Sequence, residues 1–523
     1  MNTGRHHNHP SSLATPLVGS LSAGRVTLLL VLASVGLSLL YCPPVDAFYD
    51  DIEIFRYLGR LIRAGGVPYR DVFDHKPPLI YFLNIAGPWG VWLINTALVL
   101  TATLLFLRLC RRLALPWPWL PPLLFNLLIR NYLICLGVSM TRGYTAIFLL
   151  LFFCLLLDDN NRYRYYWLGF LAAATLFMQQ DGIITLLPLL LYALVARLAP
   201  PATTTGPNAA AATAEPRTRG ILRDSLLAIA GFCTITLPLV LYFAVHHALS
   251  AAWYDAFTFN TTWYTTRSSA GEHFRAIKKG LDDTGLEMTF VATLALGICA
   301  ALGRHKKKGL LLAALATLFA SFAGEILAGK LQAGAPFHYY LLPLASTLPI
   351  LVFVAWAYTE QDWLLEKKNR LLYGFLLCSL PLYDAAQHAT HLSTHNADYF
   401  TGLPEYKYFR AHPPADRQLY AFGDNNWVKA YNEFGTFAPC HWIYQHFWEW
   451  YPGWDPGNLQ LKAMEADLLR YQTRYIIYDP RDHYFSDPAA RTEWETFLTS
   501  HYRLTPFPGP TAPRLWIALT PSQ

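Results

Sequence analysis

Six carboxylates, Asp46, Asp50, Asp51, Glu53, Asp71 and Asp74, fall between Pro43 and Lys76, and His75 and Lys76 close that stretch. Grouped acids suit three tasks: accepting a proton from a nucleophile, ligating a hard divalent cation, or recognising a cationic group. Among them Ile52, Phe55, Leu58, Leu61 and Ile62 recur at helical spacing. That spacing predicts an amphipathic helix lying on a membrane surface, with Asp50 and Asp51 near its N-terminus. Acids at that position also cap a helix and favour its dipole, and Pro68-Tyr69-Arg70-Asp71 reads as a turn. Taken singly, these residues leave chemistry and local structure equally open.

The elements that must position this loop are membrane helices. Of 523 residues, 54% are hydrophobic and 15% charged, against about 25% charged in an average soluble domain. The deficit is concentrated in long apolar runs. A bilayer crossing takes roughly 20 apolar residues, which predicts about eleven spans. They lie near 25–42, 88–107, 114–130, 143–157, 166–178, 182–198, 221–245, 286–303, 309–328, 339–357 and 371–383. The first is read as uncleaved. Within a bilayer the backbone must satisfy its own polar groups, so each run is expected to be helical.

Basic clusters punctuate alternate loops: Arg108, Arg111 and Arg112; Arg162 and Arg164; Arg197, Arg217, Arg219 and Arg223; Arg304 and Lys306 to Lys308; Lys367, Lys368 and Arg370. All fall on one side if the N-terminus is cytoplasmic, as the positive-inside rule requires. Topology therefore accounts for the formal net charge of +6, and nucleic acid is not an expected partner. The acid loop then faces outward. None of the eight cysteines forms a C-x-x-C pair, and they read as small core residues.

The expected fold class is mostly α: a polytopic transmembrane helical bundle with a small C-terminal α/β extracytoplasmic domain. Residues 1–24 read as a disordered cytoplasmic tail and 25–387 as the transmembrane domain. Within the latter, 43–76 is the first outer loop and 199–220 a flexible cytoplasmic linker rich in Ala, Thr and Pro. Residues 388–523 form the outer domain. There Gln418–Phe422, Tyr475–Tyr478 and Arg514–Leu519 are predicted strands and Arg491–Ser500 a helix.

The loop has a pattern as well as a composition. Asp50-Asp51, then Gly66-x-Pro68-Tyr69-Arg70-Asp71, then His75-Lys76-Pro77-Pro78-Leu79 resembles the first outer loop of GT-C glycosyltransferases. The resemblance is to bacterial relatives of protein O-mannosyltransferases and of the lipid A aminoarabinose transferase. Those proteins show Asp-Glu, an amphipathic helix, Gly-x-x-Tyr-x-Asp and Lys-Pro-Pro at this place. Downstream, Gly334-Ala335-Pro336-Phe337-His338-Tyr339-Tyr340-Leu341-Leu342-Pro343 resembles the His-Tyr motif that opens a late span in the same group. The likeness covers about Arg25 to Leu382. There are departures. Asp51 stands where Glu is usual, and Thr141-Arg142-Gly143-Tyr144 stands where relatives have Thr-Glu-x-Tyr. The oligosaccharyltransferase signature Trp-Trp-Asp-Tyr-Gly is absent.

The resemblance implies a polyprenyl-phosphate sugar as donor, an acceptor that the sequence does not name, and a bacterial inner membrane. It implies Asp50 as the base or the residue that orients the nucleophile, supported by Asp51. Those two acids are also the candidate ligands for a divalent metal, which the sequence does not require. Lys76, His338 and Arg142 are the candidate phosphate-binding residues, and Tyr69, Asp71, Asp74, His75 and Tyr339 are further outer-loop candidates. Gln179, Gln180 and Asp181 read as a tight polar turn, and Trp253, Tyr254, Trp263 and Tyr264 as interface aromatics. Rival readings are a transporter or lipid flippase, or a non-catalytic envelope scaffold. A transporter more often places its ionisable groups at mid-membrane; here Glu325, near the outer end of the ninth predicted span, is one of few ionisable residues within a span.

Overall fold

The structure is a computed structural model. It describes residues 23–519 apart from 44–49, 132–133, 136–139, 199–216, 265–268, 304–305, 328–337, 359–373, 387–401, 424–426, 506–514 and positions 376, 380, 384, 385, 480, 482 and 483. Almost all of the predicted tail and most of the Ala/Thr/Pro linker lie outside the described residues, as do residues 371–373, 376 and 380 of the predicted span 371–383.

The apolar runs form helices, as backbone in lipid must. In chain order they are α1 (Ala23–Leu39), α2 (Asp50–Arg63), α3 (Leu79–Asn84), α4 (Gly87–Arg112), α5 (Leu120–Ile129), α6 (Thr141–Leu156) and α7 (Arg164–Met178). There follow α8 (Gly182–Leu198), α9 (Arg217–Val245), α10 (Leu249–Trp253), α11 (Ala270–Asp283), α12 (Glu287–Leu302), α13 (Lys308–Leu327) and α14 (Leu344–Tyr358). Two π-helical turns, Tyr254–Thr258 and Asn260–Tyr264, follow α10, and a 3-10 turn, His338–Leu341, leads into α14.

The expected count of eleven spans is only partly met. Among the described residues four helical stretches are long and apolar enough to cross a membrane: Gly87–Arg112, Gly220–Val245, Lys308–Leu327 and His338–Tyr358. The pair α11 and α12 would add a fifth, but it is bent by 112°. Helices α1, α5, α6 and α8 stand at predicted spans and are apolar, but shorter. The protein is an integral membrane protein by this pattern. Its outward faces agree: Leu187, Leu191, Leu194 and Val195 on α8, and Leu226, Ile229, Leu237 and Leu241 on α9, are exposed.

The C-terminal part is α/β, as expected. Strands β1 (Leu419–Ala421), β2 (Tyr475–Ile477), β3 (Tyr502–Thr505) and β4 (Leu515–Ala518) form one sheet in the order β1-β2-β4-β3, with only β1 and β2 parallel. The predicted helix appears as Pro488–His501. Strand β3 was not expected, because Arg503 and Leu504 in its middle are exposed and break the buried pattern of the other strands.

Helix α2 departs from the expected surface helix. Ile52, Phe55, Leu58 and Leu61 are buried, but so are Glu53 and Tyr57 on the other side. The C-terminal domain covers that second side. Asn432 donates to the Glu53 carboxylate at 2.7 Å, the Tyr57 hydroxyl accepts from Ala438 N–H at 2.9 Å, and Arg60 donates to the Thr436 carbonyl. The helix is therefore sandwiched between the bundle and the C-terminal domain.

Candidate active site

The loop after α2 is held by a turn and a cage. In the turn, the Asp71 carboxylate accepts from Val67 N–H at 2.7 Å and from Arg70 Nε at 2.7 Å. Burial alone would raise the Asp71 carboxyl, but these bonds outweigh it and hold it below the usual carboxylate range. Tyr69 takes φ of 66°, a conformation a bulky residue adopts only under constraint. Its ring is buried and its hydroxyl donates to the Lys76 carbonyl at 2.6 Å.

The cage fixes His75 and Lys76. The Tyr81 hydroxyl lies 2.8 Å from Asp74 Oδ2 and 2.9 Å from the Lys76 carbonyl. Tyr444 of the C-terminal domain donates to Asp74 Oδ1 at 2.7 Å. Burial pushes both tyrosines well above their ordinary values, and the Asp74 charge adds to this, so both remain donors. Asn260 donates to the His75 carbonyl at 2.6 Å. The Lys76 backbone is thus set by three elements, and its ammonium reaches Asp51 Oδ1 at 3.2 Å over the Phe55 ring.

Beside Lys76 opens a cavity of about 280 Å³. His75, Lys76 and Pro77 form part of its wall. Arg142, Gln179, Gln180, Asp181, Tyr339 and Tyr340 also line it. Residues from the two sequence motifs, about 260 positions apart in the chain, therefore share one cavity. Gln179 to Asp181 do form a turn, but the turn faces the cavity rather than solvent.

Arg142 is buried and already engaged. It donates through Nε and Nη2 to the two oxygens of Glu325, each at 2.7 Å, and Asp181 Oδ2 stands 3.6 Å away. Its guanidinium lies 4.5 Å from the Tyr340 ring centroid and 5.3 Å from that of Tyr339. Two carboxyl groups oppose the base that stands in place of an acid. This wall is therefore not an unopposed anion site.

The other candidates are placed differently. Asp50 opens α2, and its side chain lies outside the described residues. His338 does not line the cavity; its Nε2 is 3.2 Å from Asp283 Oδ2. Tyr69, Asp71 and Asp74 shape the loop without lining the cavity. Among the described residues no group of three or more His, Cys, Asp or Glu could hold a metal ion.

Besides the cage residues Tyr81, Tyr444 and Asn260, two more residues escaped the sequence reading, Tyr340 and Asp255. Tyr340 was overshadowed by the His-Tyr pair before it. Asp255 sits in the π-helical turn, 5% exposed, with Oδ2 lacking any hydrogen-bond partner. Burial pushes its carboxyl up to about 8, and the charge of Asp74 adds to the shift. Its one sequence signal was an acid set among the aromatics Tyr254 and Phe257.

No protein-family model matches the chain, and no curated protein matches it. Among solved structures it is similar to ArnT from Cupriavidus metallidurans bound to undecaprenyl phosphate, with a TM-score of 0.50 and 13% identity. The match covers 80% of this chain and 86% of that one. At that identity the likeness speaks for architecture, and it agrees with the resemblance carried by the loop motifs: the chain has a GT-C-like fold.

Proposed function

We propose that this protein is a membrane glycosyltransferase that moves a sugar from a polyprenyl-phosphate-linked donor to an acceptor on the outer face of the membrane. The observation that carries the reading is the single cavity at one end of the bundle, walled by Lys76 on one motif and by Tyr339 on the other. The ArnT structure of similar fold holds undecaprenyl phosphate, which supports a lipid-phosphate donor here.

In this reading an acceptor oxygen attacks the anomeric carbon while the bond from that carbon to the phosphate oxygen breaks. Asp50 takes the acceptor proton. The Lys76 ammonium meets the charge on the departing lipid phosphate, and Asp51 keeps it aimed until the donor arrives. The Arg142, Gln179 and Asp181 wall offers donors and acceptors to sugar hydroxyls, and Tyr339 and Tyr340 offer aromatic faces. A divalent metal, if one binds, would use Asp50 and Asp51. The acid loop and the C-terminal domain face outward, and the basic helix ends face the cytoplasm.

A transporter would also bury charged residues. Here, however, Arg142 is the second residue of α6, Asp181 directly precedes α8, and Glu325 is three from the end of α13. The cluster thus sits at the helix ends, where a donor headgroup would lie, and not at mid-bundle. Donor binding tests the assignment of Lys76. Lys76→Ala is expected to weaken affinity for a polyprenyl-phosphate sugar about 10- to 100-fold, the worth of a charge-assisted contact of about 1.5–3 kcal/mol. Unchanged affinity would remove Lys76 from the phosphate site.

A further inference from the structure

The π-helical turns after α10 stand between the cavity and the cage around Asp74. Phe257, Asn260 and Thr261 line the cavity. Asp255, Ala256 and Phe259 are buried, and the Phe259 ring packs 5.1 Å from that of Phe73 on the loop after α2. One backbone carbonyl joins the two sides. The Ala256 oxygen accepts from the side-chain amide of Gln180 and from that of Asn260 at 2.8 Å, and Asn260 also donates to the His75 carbonyl at 2.6 Å. Gln180 and His75 both line the cavity, so their supports meet at the residue next to Asp255. Short π segments are frequent at functional sites.

The Asp255 carboxyl sits at this junction with nothing to hold a charge. Asp74 is met by His75 N–H at 2.8 Å, by the Tyr81 hydroxyl at 2.8 Å and by the Tyr444 hydroxyl at 2.7 Å. Asp255 Oδ2 is met by no donor. Asp74 and Tyr69, both on the loop after α2, are the titratable groups that act on Asp255 among the described residues, and neither is a cation. A buried carboxylate without donors is costly enough that the group takes a proton instead. A protonated Asp255 can lie against the loop that carries Asp74, whereas an ionised one is repelled by it.

We propose that Asp255 is a positioning residue for the cavity: its uncharged carboxyl seats the π-helical turns on the Asp74 loop and, through Ala256, holds Gln180 and His75 in the wall. This role rests on the sugar-transfer reading only for what the cavity holds. The balance between seated and released turns follows pH. In the seated form Asp255 titrates at about 8, and released into water it titrates near about 3.9. The seated form holds the proton between those values, so each pH unit in that window moves the balance about tenfold toward the released form. Above the upper value both forms have lost the proton and the shift ends.

Hydrogen exchange on the full chain in detergent, between about pH 5.5 and about pH 7.5 and corrected for the intrinsic pH dependence of exchange, tests this role. In the wild type, protection of residues 254–264 is expected to fall about tenfold per pH unit, and that of residues 179–184 to fall in parallel. In Asp255→Asn, whose amide stays uncharged, both slopes should vanish, with the unfolding midpoint at the lower pH as the check that the variant folds. A flat wild-type profile, or a slope kept in Asp255→Asn, would overturn the role. A slope confined to 254–264 would overturn its reach into the cavity wall. Undecaprenyl phosphate, the lipid held by the ArnT structure of similar fold, is the separate probe of what the cavity takes. At the lower pH it should raise the protection of 254–264 several-fold in both proteins. If it does not while the pH slopes hold, Asp255 positions a cavity for some other ligand, and it is the sugar-transfer reading that fails.

Discussion

Lys76 is held at its backbone more firmly than a surface lysine needs to be. The hydroxyls of Tyr69 and Tyr81 both meet its carbonyl, and Tyr81 also serves Asp74. Tyr81→Phe leaves these acceptors short of a donor in a buried place. It is expected to lower stability by about 1–3 kcal/mol and to weaken donor binding. Unfolding curves and donor titration check this; a variant equal to wild type in both would show that the cage is dispensable. Asp255 offers a separate test by pH. An unfolded aspartate titrates near about 3.9, whereas Asp255 in the fold titrates at about 8. The folded chain holds the extra proton between those values, so its contribution is most favourable below the lower one and declines as pH rises toward the upper. Asp255→Asn removes that decline, so its unfolding midpoint should fall less than that of wild type between about pH 5 and pH 8. Parallel profiles for the two proteins would contradict the assignment. The sequence could not show these residues at work together: Tyr444 meets Asp74 across 370 positions and Glu325 meets Arg142 across 183, and no local spacing encodes either pairing. What was legible was residue type in order along one loop.

At the scale of elements, α2 sets the site because it packs on both sides. A Cβ on Gly59 would lie 2.5 Å from the backbone of Asn84 on α3, so this crossing needs glycine. Gly59→Val should separate α2 from α3, displace Lys76 from Asp51 and destabilise by several kcal/mol, on the order of other overpacked contacts. Retained stability in a denaturation series would mean that the crossing is looser than drawn. The apolar spacing of Ile52 to Ile62 made the helix itself legible. It did not reveal that Glu53 and Tyr57 are covered as well, because the covering segment lies in the C-terminal domain. Burial of Arg142 is a further matter of elements, since α6 and α13 each contribute one end of the pair. Arg142→Ala strands two carboxyl groups and is expected to cost about 3–5 kcal/mol, whereas Arg142→Ala/Glu325→Ala should recover part of that loss. Additive losses in the double variant would show that the two side chains act apart.

The whole molecule places acids and bases at opposite ends of one bundle. Charge bias made that division legible in the sequence, because basic residues recur after alternate apolar runs. Helix lengths were less legible. Hydropathy alone does not show where α1, α5, α6 and α8 stop, and each is shorter than a full crossing among the described residues. The C-terminal domain closes over the acid end, contributing Tyr444 to the cage and Asn432 to α2. The central claim is sugar transfer at that end, and transfer from a labelled polyprenyl-phosphate sugar in membranes tests it most directly. Wild-type membranes should pass the label to an acceptor, and Asp50→Asn should slow this by about 10²–10⁴ while donor binding survives, as loss of a general base does. Turnover at the wild-type rate in Asp50→Asn would contradict the account.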